Sequence, residues 1–567
     1  MNRKGRQILL MVFLLVLTVT FIGTGVYFIR HPIQFPEKGD ARLLSEKPYQ
    51  AYEAVEPSYQ VQEAEKTEEV PVTYTRAEVK PRFYTTRRAT VFTFSGLGNV
   101  TEVNGVLDVL RNTGSCATFF VTPEDLNGNS DLVHAIKKAG HNLGLSVPPD
   151  AHASVSVLRE ELMAARDRLK NEFGETEQIF VRSTYGSASS ILLDAAGSCG
   201  LEVLSQVKEA VPQSITRMTN VEDALPLVAK ANEGPFQRGE IVHFQMGLIQ
   251  HSDFLLAELL NALIETNCPY PVESAATVAA DTAEMYTYPL PREQILPEVL
   301  DRIHPGYLEG LSGAEAMDRI AGGYLGIDWV NSRRFLPGFE LSEIRKLDKR
   351  GLIPNEDNLV FLTFDDWGTD GTVDRLLQVL EKHNVRATFF VRTQYVPYNP
   401  NLLRAIAKAG HTIGDHTHKH LKLSTEITAT TYEELTDAEV DELREDMVTS
   451  YQTMQDIIGD LRDATGKPSL STLFRPPTLA VGKKGLTAVF DVGFTHSISG
   501  YYTSSDYKAE SAEKLARQLK RYIRSGAVIV MHFSDTAIYT AEALDMVLTE
   551  LEQEKKPFRF VGLNAIY

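Results

Sequence analysis

The sequence predicts an α/β protein with two related domains, each built on parallel strands that alternate with helices. Apolar runs such as VFLTF and ATFFV are each followed by a helix-like segment, TVDRLLQVLEKH and NLLRAIAKAG respectively. This alternation favours a parallel sheet or barrel, with functional residues at the C-terminal ends of the strands. The same pattern occurs twice along the chain, which indicates two copies of one fold.

Length, charge and cysteine content limit the classes of protein. A chain of 567 residues is too long for one ordinary core, so two or more domains are expected. The net charge of −18 argues against a nucleic acid partner. Three cysteines, Cys116, Cys199 and Cys268, form no C-x-x-C motif and no even-numbered framework. One disulfide with a free thiol and three unpaired core residues are both compatible with the sequence.

The N-terminal segment predicts a membrane anchor. Residues 8–29 form an uninterrupted apolar run, long enough to cross a hydrocarbon core of about 30 Å. Three basic residues precede the run, so the positive-inside rule leaves the N-terminus in the cytoplasm and the bulk of the chain outside. A cleaved signal peptide is the competing interpretation, but no clear A-x-A site follows. We expect a retained single-pass anchor over 1–30 and a solvated, disordered spacer over 31–86.

An internal repeat locates the two domains. Three pairs of segments share one spacing, namely residues 93–94 with 363–364, 117–121 with 387–391, and 139–141 with 409–411. Arg182 with Arg475, and His243 with His532, follow at nearly the same spacing. We therefore predict domains over 87–281 and 355–567, joined by a linker with short helices over 282–354.

The second copy contains an apolar strand that ends in two adjacent carboxylates, Asp365 and Asp366. Adjacent residues on a strand point to opposite faces, so both carboxylates share one site only where the chain twists. In that case we expect them to have different roles. The alternative is a strand followed by a carboxylate-rich turn with no chemical role.

Other side chains of the second copy complete a candidate site. His416 and His420 have the i, i+4 spacing that brings two residues to one helical face. Two neutral imidazoles and a carboxylate suit a divalent transition metal with an open position for water. Arg475 can orient a carboxylate, and His532 can act as a general acid. Each of these residues alone is more often structural, but together they are the parts of a metal-assisted hydrolase.

With these motifs, residues 355–567 resemble the polysaccharide deacetylase family, the chitooligosaccharide-deacetylase homology domain of carbohydrate esterase family four. The motifs are T-F-D-D at 363–366, H-T-x-x-H at 416–420, R-P-P at 475–477, S-D-Y at 505–507 and V-M-H at 530–532. The resemblance implies a distorted (β/α) barrel, usually seven-stranded. It also implies a divalent metal, commonly zinc, with Co²⁺, Ni²⁺ or Mn²⁺ as alternatives.

The resemblance further implies a role for each matching residue. Asp366, His416 and His420 would hold the metal, and Asp365 would be the general base, oriented by Arg475. His532 would protonate the leaving amine, with Asp506 positioning it. The backbone N–H of Thr478 would stabilise the oxyanion, while Pro477, Tyr507 and Val530 would line the substrate groove. The family usually has Tyr, Trp and Leu where this chain has Thr478, Tyr507 and Val530, which concerns substrate preference rather than chemistry.

The first copy lacks this set. At the repeat spacing, the counterparts of Asp365, Asp366, His416 and His420 are Ser95, Gly96, Ser146 and Asp150. One carboxylate cannot hold a transition metal well, although Arg182 and His243 persist. We therefore predict that 87–281 is a catalytically inactive copy, retained for packing against the active one or for holding glycan.

Together these patterns predict a membrane-anchored, extracytoplasmic, metal-dependent polysaccharide deacetylase. The expected reaction removes acetyl groups, above all N-acetyl groups of N-acetylglucosamine-type residues, with O-acetyl groups as an alternative. Peptidoglycan or an N-acetylglucosamine polymer is the expected substrate, because an anchored enzyme reaches only nearby glycan. The alternative function is an inactive, membrane-anchored protein that binds or scaffolds glycan.

Overall fold

The computed structural model describes residues 73–148, 154–232, 234–330 and 335–567. The predicted anchor over 8–29 and most of the predicted spacer lie outside these residues. The described end of the spacer is not disordered as we predicted, because Val79–Lys80 form a strand of the first sheet and Phe83 is buried. Within the described residues, no helix combines the length and the apolar character that a membrane crossing requires. Cys116, Cys199 and Cys268 are all free thiols, so no disulfide joins them.

The first sheet lies in the N-terminal part of the described chain, and its strands all pair in parallel. The strands are β1 (Val79–Lys80), β2 (Thr90–Ser95), β3 (Thr118–Val121), β4 (Asn142–Val147), β5 (Phe180–Ser183), β6 (Glu202–Leu204), β7 (Lys208–Glu209), β8 (Ile241–Gln245) and β9 (Val272–Glu273). Their order is β1-β6-β5-β4-β3-β2-β8-β7, and β9 pairs with β2. The helices are Val100–Asn112, Pro123–Gly128, Ser130–Lys138, Val155–Asn171, Ser190–Ser198, Val221–Asn232, Leu255–Asn267 and Ala275–Ala280.

The second sheet is also parallel. Its strands are β10 (Tyr324–Leu325), β11 (Leu359–Asp366), β12 (Thr388–Val391), β13 (Thr412–Asp415), β16 (Leu470–Phe474), β17 (His496–Ile498), β18 (Tyr502–Thr503), β19 (Val528–His532) and β20 (Arg559–Phe560), and a separate hairpin is formed by β14 (Thr425–Thr428) and β15 (Thr431–Glu433). The order is β10-β17-β16-β13-β12-β11-β19-β18, and β20 pairs with β11. The helices are Gly313–Gly323, Leu341–Ile344, Asp370–Lys382, Pro400–Lys408, Asp437–Ile458, Lys483–Asp491, Ala512–Tyr522 and Thr540–Gln553.

The two sheets follow the same path through their strands, which confirms the prediction of two tandem β/α domains. Each has eight strands in sequence and a ninth beside the path, more than the seven that the family resemblance implied. The additional edge strands are only two residues long. Parallel pairing places the C-terminal ends of all strands in a sheet at one edge, where α/β folds place their chemistry.

Strand β11 is buried on both faces because it lies between two apolar layers. Val360, Leu362 and Phe364 pack in the large core beneath the helices. Leu359 and Phe361 belong to a smaller cluster on the other face. Alternation along the strand therefore places Thr363 and Asp365 above that smaller cluster.

The segment that we predicted as a linker supplies part of the second sheet. Its strand β10 pairs in parallel with β17, and Leu290, Ile295, Val299 and Ile320 join the core of the second domain. The predicted short helices are present as Gly313–Gly323 and Leu341–Ile344.

The two domains contact each other through buried polar groups within the compact unit 72–567. Arg238 of the first domain bonds Asp370 through Nε and Asp374 through Nη2, each at 2.7 Å. All three side chains are almost fully buried. Asn401 accepts a hydrogen bond from the Thr85 N–H at 3.0 Å. Since Asp370 begins the helix after β11, the first domain contacts the element that follows the two adjacent carboxylates.

Candidate active site

Asp365 and Asp366 line one cavity at the C-terminal end of β11. Asp366 has a left-handed backbone with φ of 81°, which turns the chain at this residue. This is the twist required for two neighbouring strand residues to face one site. The cavity has a volume of about 580 Å³, and His416, His420 and His532 also line it.

Three side chains converge as a potential metal site. The Asp366 Oδ1 atom lies 3.7 Å from His416 Nε2 and 3.5 Å from His420 Nε2. Among the described residues, this is the one set in which three such ligand atoms lie within 4.8 Å of one another. The convergence agrees with the sequence prediction.

The prediction that the histidines share a helical face is wrong. Residues 416–420 form a loop after β13, in which Thr417 and His420 have left-handed backbones with φ of 63° and 65°. The Asp446 carboxylate holds this loop by accepting the N–H groups of His418 and Lys419 at 2.6 and 3.0 Å. The turn, rather than helical spacing, brings the two imidazoles together.

The donor set fits a divalent transition metal. His416 donates its Nδ1–H to the Arg475 carbonyl at 2.8 Å, which leaves the Nε2 lone pair facing Asp366. Burial lowers the pKa of His416 to about 4 and that of His420 to about 3, so both rings are neutral at pH 7. Two neutral imidazole nitrogens and one carboxylate form a common set for zinc and related ions.

Asp365 is held by Arg475 beside this triad. The Arg475 Nη1 group lies 3.0 Å from both Asp365 carboxylate oxygens, and Nη2 donates to Thr363 at 2.9 Å. The guanidinium is fully buried and lies 4.4 Å above the Phe390 ring. Burial raises the pKa of Asp365, and the Arg475 charge opposes this rise. The result is a preoriented carboxylate with no freedom to rotate away.

His532 is held on another side of the cavity by Asp506. Its Nδ1–H donates to Asp506 Oδ1 at 2.7 Å, and its backbone N–H donates to Oδ2 at 2.8 Å. Thr540 donates to the same carboxylate at 2.6 Å. Burial alone lowers the pKa of His532, but Asp506, together with the charges of Asp365 and Asp366, raises it to about 9.

The remaining predicted groove residues surround these groups. Thr478, Tyr507 and Val530 line the cavity, whereas Pro477 is buried beside it and is not among the lining residues. Thr478 has a left-handed backbone with φ of 61°. The Tyr507 ring stands edge-on to the His532 ring, with centroids 4.9 Å apart.

In the first domain, strand register corrects one assignment. Ser95 pairs with Gln245, as Asp365 pairs with His532, so Gln245 rather than His243 is the counterpart of His532. His243 pairs with Thr93 and corresponds to Val530. It is buried between the hydroxyl groups of Thr93 and Ser95, each 3.0 Å away, and burial lowers its pKa well below the usual value. His243 is therefore a core residue, and Asp150 lies outside the described residues.

Several supporting residues were missed by sequence reasoning. Thr363, Asp446 and Thr540 each fix a candidate site residue or its loop, as described above. Asp415 precedes His416, accepts the Thr417 N–H at 2.7 Å, and has a pKa that burial raises to about 8. Trp329, from the predicted linker, lines the cavity. Thr363 and Asp415 carried a sequence signal, Thr363 as the first residue of the T-F-D-D motif and Asp415 as an acidic residue at the end of a strand.

The profile of the polysaccharide deacetylase family matches this chain in two segments, residues 84–204 and 353–497. Each of the two domains therefore matches the polysaccharide deacetylase family. The first segment covers β2 to β6, and the second covers β11 to β16 and the start of β17, so both domains carry the family pattern.

Two curated relatives of this deacetylase family match about two fifths of the chain each. The peptidoglycan-N-acetylglucosamine deacetylase PgdA of Listeria monocytogenes is 28% identical over 208 residues, which are 37% of this chain and 38% of that protein. The peptidoglycan-N-acetylmuramic acid deacetylase PdaA of Bacillus subtilis is 26% identical over 223 residues, 39% of this chain and 76% of that protein. The match therefore spans less than two fifths of the Listeria relative.

A solved structure of the same family is that of BA3943, a CE4 family pseudoenzyme from Bacillus anthracis. It is 22% identical, covers 42% of this chain and 80% of its own, and has a TM-score of 0.31.

Proposed function

We propose that the second domain is a metal-dependent hydrolase that removes acetyl groups from a cell-envelope or extracellular polysaccharide. The observation that carries this proposal is the grouping of an Arg-held carboxylate, an Asp-held histidine and a three-ligand metal set around one cavity. The most suitable bond is the amide of an N-acetylglucosamine-type residue, because His532 is placed to protonate a leaving amine. The name of the Listeria relative agrees with this choice, whereas the Bacillus subtilis relative is named for N-acetylmuramic acid, the other N-acetylated sugar of peptidoglycan.

Asp365 acts as the general base in this scheme. Its carboxylate takes a proton from the attacking water as the new C–O bond forms at the acetyl carbon. Arg475 keeps the carboxylate oriented, and the raised pKa makes the group a stronger base than a solvent-exposed carboxylate. When bound by Asp366, His416 and His420, a divalent cation supplies Lewis-acid polarisation of the acetyl carbonyl.

His532 acts as the general acid. Its pKa of about 9 keeps the ring protonated at neutral pH, so Nε2–H can donate to the amide nitrogen as the C–N bond breaks. The products are acetate and the free amine of the sugar. Asp506 fixes the ring and stabilises its charge, while the Thr478 backbone N–H is the proposed donor to the oxyanion.

We further propose zinc as the metal and a site of action outside the cytoplasm. The apolar run 8–29 and the basic residues before it support a retained anchor that contacts the bilayer. Under this proposal the first domain, which lacks counterparts of Asp365, Asp366 and His416, has no catalytic role.

The test measures acetate release from peptidoglycan and from N-acetylglucosamine oligomers by the full chain with zinc present. We expect Asp365→Asn to abolish release, while Ser95→Ala, at the counterpart position of the first domain, retains it. In a third variant of the full chain, His420→Ala should lower the metal content below one equivalent per chain. Release that survives Asp365→Asn would contradict the assigned base. Glycan binding without release by the wild type would favour the inactive scaffold instead.

A further inference from the structure

Trp329 reaches the cavity from the segment between the two domains. It follows β10, whose pairing with β17 runs parallel to the rest of the sheet. The chain therefore leaves β10 at the same edge of the sheet where Asp365 and His532 lie. Trp329 is one of the residues that line their cavity.

The Trp329 ring is exposed and yet held in place. Its side chain is 43% exposed, whereas Ile327 and Val330 on either side are buried in the core of the second domain. The Phe335 ring packs edge-on against the indole, with centroids 5.7 Å apart, and Phe335 in turn contacts Tyr432 at 5.6 Å. A large exposed aromatic ring on a fixed backbone is a common feature of binding surfaces.

A second exposed aromatic ring borders the cavity at the opposite edge strand of the sheet. Tyr507 follows β18 and is 41% exposed. The edge strands of the sheet are β10 and β18. Gly326 directly follows β10 and Gly500 lies just before β18, and both contact Gly351. A Cβ atom at Gly351 would lie 1.8 Å from the Gly500 carbonyl oxygen and 2.6 Å from that of Gly326. The two edges of the sheet therefore approach each other, and one exposed aromatic ring from beyond each edge strand lines the cavity.

The rest of the cavity wall is rich in hydroxyl groups. Thr478, Thr503, Ser505 and Thr536 line it together with the two aromatic rings. Aromatic faces pack against the C–H face of a sugar ring, while hydroxyl groups exchange hydrogen bonds with the sugar hydroxyls. This mixture matches a pyranose better than a flat apolar ligand.

We propose that Trp329 is a stacking platform for a sugar ring next to the one that is deacetylated, so that the cavity selects an oligomeric glycan over a single sugar. This inference rests on the proposed function for its substrate class. It assigns a binding role to the inter-domain segment, which carries none of the predicted catalytic residues.

The kinetic test compares N-acetylglucosamine and its tetramer as substrates of the full chain. We expect Trp329→Ala to raise KM for the tetramer on the order of tenfold with little change in kcat, because stacking contributes to binding rather than to bond breaking. Trp329→Phe should recover part of the affinity. Phe254→Ala, which removes a 62% exposed aromatic ring from the first domain, is the matched control and should leave KM unchanged. An unchanged KM for the tetramer in Trp329→Ala would overturn the proposal.

A binding test separates this inference from the proposed function. The chain has two tryptophans, Trp329 and Trp367, so the Trp367→Phe protein reports on Trp329 alone. Adding Asp365→Asn stops turnover, and titration with the tetramer should then give a saturable change in emission. If the emission changes saturably but the wild type releases no acetate, Trp329 binds the glycan and the proposed function is wrong. If the wild type releases acetate but the emission does not change, the proposed function is supported and the stacking role of Trp329 is contradicted.

Discussion

The first and second domains share their strand order and register but differ in the side chains at their strand ends. In both, the residue after β8 or β19 donates its N–H to the strand beside it, from Met246 to Ser95 and from Phe533 to Asp365. The backbone framework is therefore the same where the chemistry differs. Parallel pairing and apolar layers maintain the fold, while the side chains at the strand ends determine whether a metal can bind.

The candidate site places Asp366 in a strained backbone conformation. Gly96 occupies this position in the first domain and has nearly the same backbone, with φ of 87° against 81° for Asp366. Glycine adopts this conformation without strain, whereas an aspartate does not. The second domain thus retains a strained residue where its carboxylate is required, and the first domain has the relaxed residue.

The two domains also differ in the charges that they bury at the ends of their strands. Asp365 and Arg475 form a buried ion pair in the second domain, whereas the Ser95 side chain in the first bonds the His243 imidazole and the Gln245 amide. Arg182 remains in the first domain, where it bonds Gln206 at 3.2 Å instead of a carboxylate. Arg182 and Arg475 therefore lie in different hydrogen-bond networks.

Among exchanges that compare the two domains, the largest expected effect comes from replacing His532 by its first-domain counterpart. His532→Gln should lower kcat for acetate release by about 10²–10⁴, because the general acid is lost while the register accommodates glutamine. Steady-state kinetics on an N-acetylglucosamine oligomer would measure this. Gln245→Ala in the first domain should leave kcat unchanged. Wild-type kcat in His532→Gln would show that the domains do not differ at this position in the way we infer.

The next effect tests whether the first domain stabilises the second. Arg238→Ala leaves Asp370 and Asp374 without their buried partner and should lower the free energy of unfolding by about 3–5 kcal/mol. Urea denaturation would measure the loss, and Arg238→Lys should lose less. The exposed pair of Arg111 and Asp108 is the control, since Arg111→Ala should cost less than about 1 kcal/mol. Equal losses at the two arginines would contradict a stabilising interface.

A smaller effect concerns the backbone strain at Asp366. In metal-free protein, Asp366→Gly should raise the free energy of unfolding by about 1–3 kcal/mol while abolishing metal binding. The reverse exchange, Gly96→Asp, should destabilise the first domain, because its Cβ would lie 2.5 Å from the Met246 carbonyl oxygen. Urea denaturation and metal analysis test both variants. If Asp366→Gly is less stable than the metal-free wild type, strain does not distinguish the two positions.

The smallest effect concerns a pair of histidines that the domains share. Burial lowers the pKa of His141 to about 4 and of His411 to about 3, so the unfolded chain binds protons before the folded one. The free energy of unfolding should therefore fall as pH drops below about 6.5, by up to about 1.4 kcal/mol per histidine and pH unit. Denaturation of wild type and His411→Gln at pH 7 and pH 5 would measure this. The variant should show the shallower dependence, and an identical dependence would exclude His411 as a cause.

The sequence by itself determined the features that are local along the chain. Strand–helix alternation, the repeat and the acidic end of β11 are patterns of neighbouring residues, and they predicted the two sheets correctly. The set Asp365, Asp366, His416, His420, Arg475 and His532 was also chosen from sequence, because each member lies at or just after the end of a predicted strand. The anchor over 8–29 and the individual catalytic roles remain predictions.

Tertiary structure alone decided the features that depend on register and on distant packing. A shift of two residues keeps a strand residue on the same face, so local sequence could not distinguish His243 from Gln245 as the counterpart of His532. The left-handed backbones at Asp366 and His420 are not ones that local preference favours, and the loop that contains His420 is held by Asp446 from a distant helix. Trp329 reaches the cavity only because β10 joins the far edge of the second sheet, a contact between segments well separated in the chain.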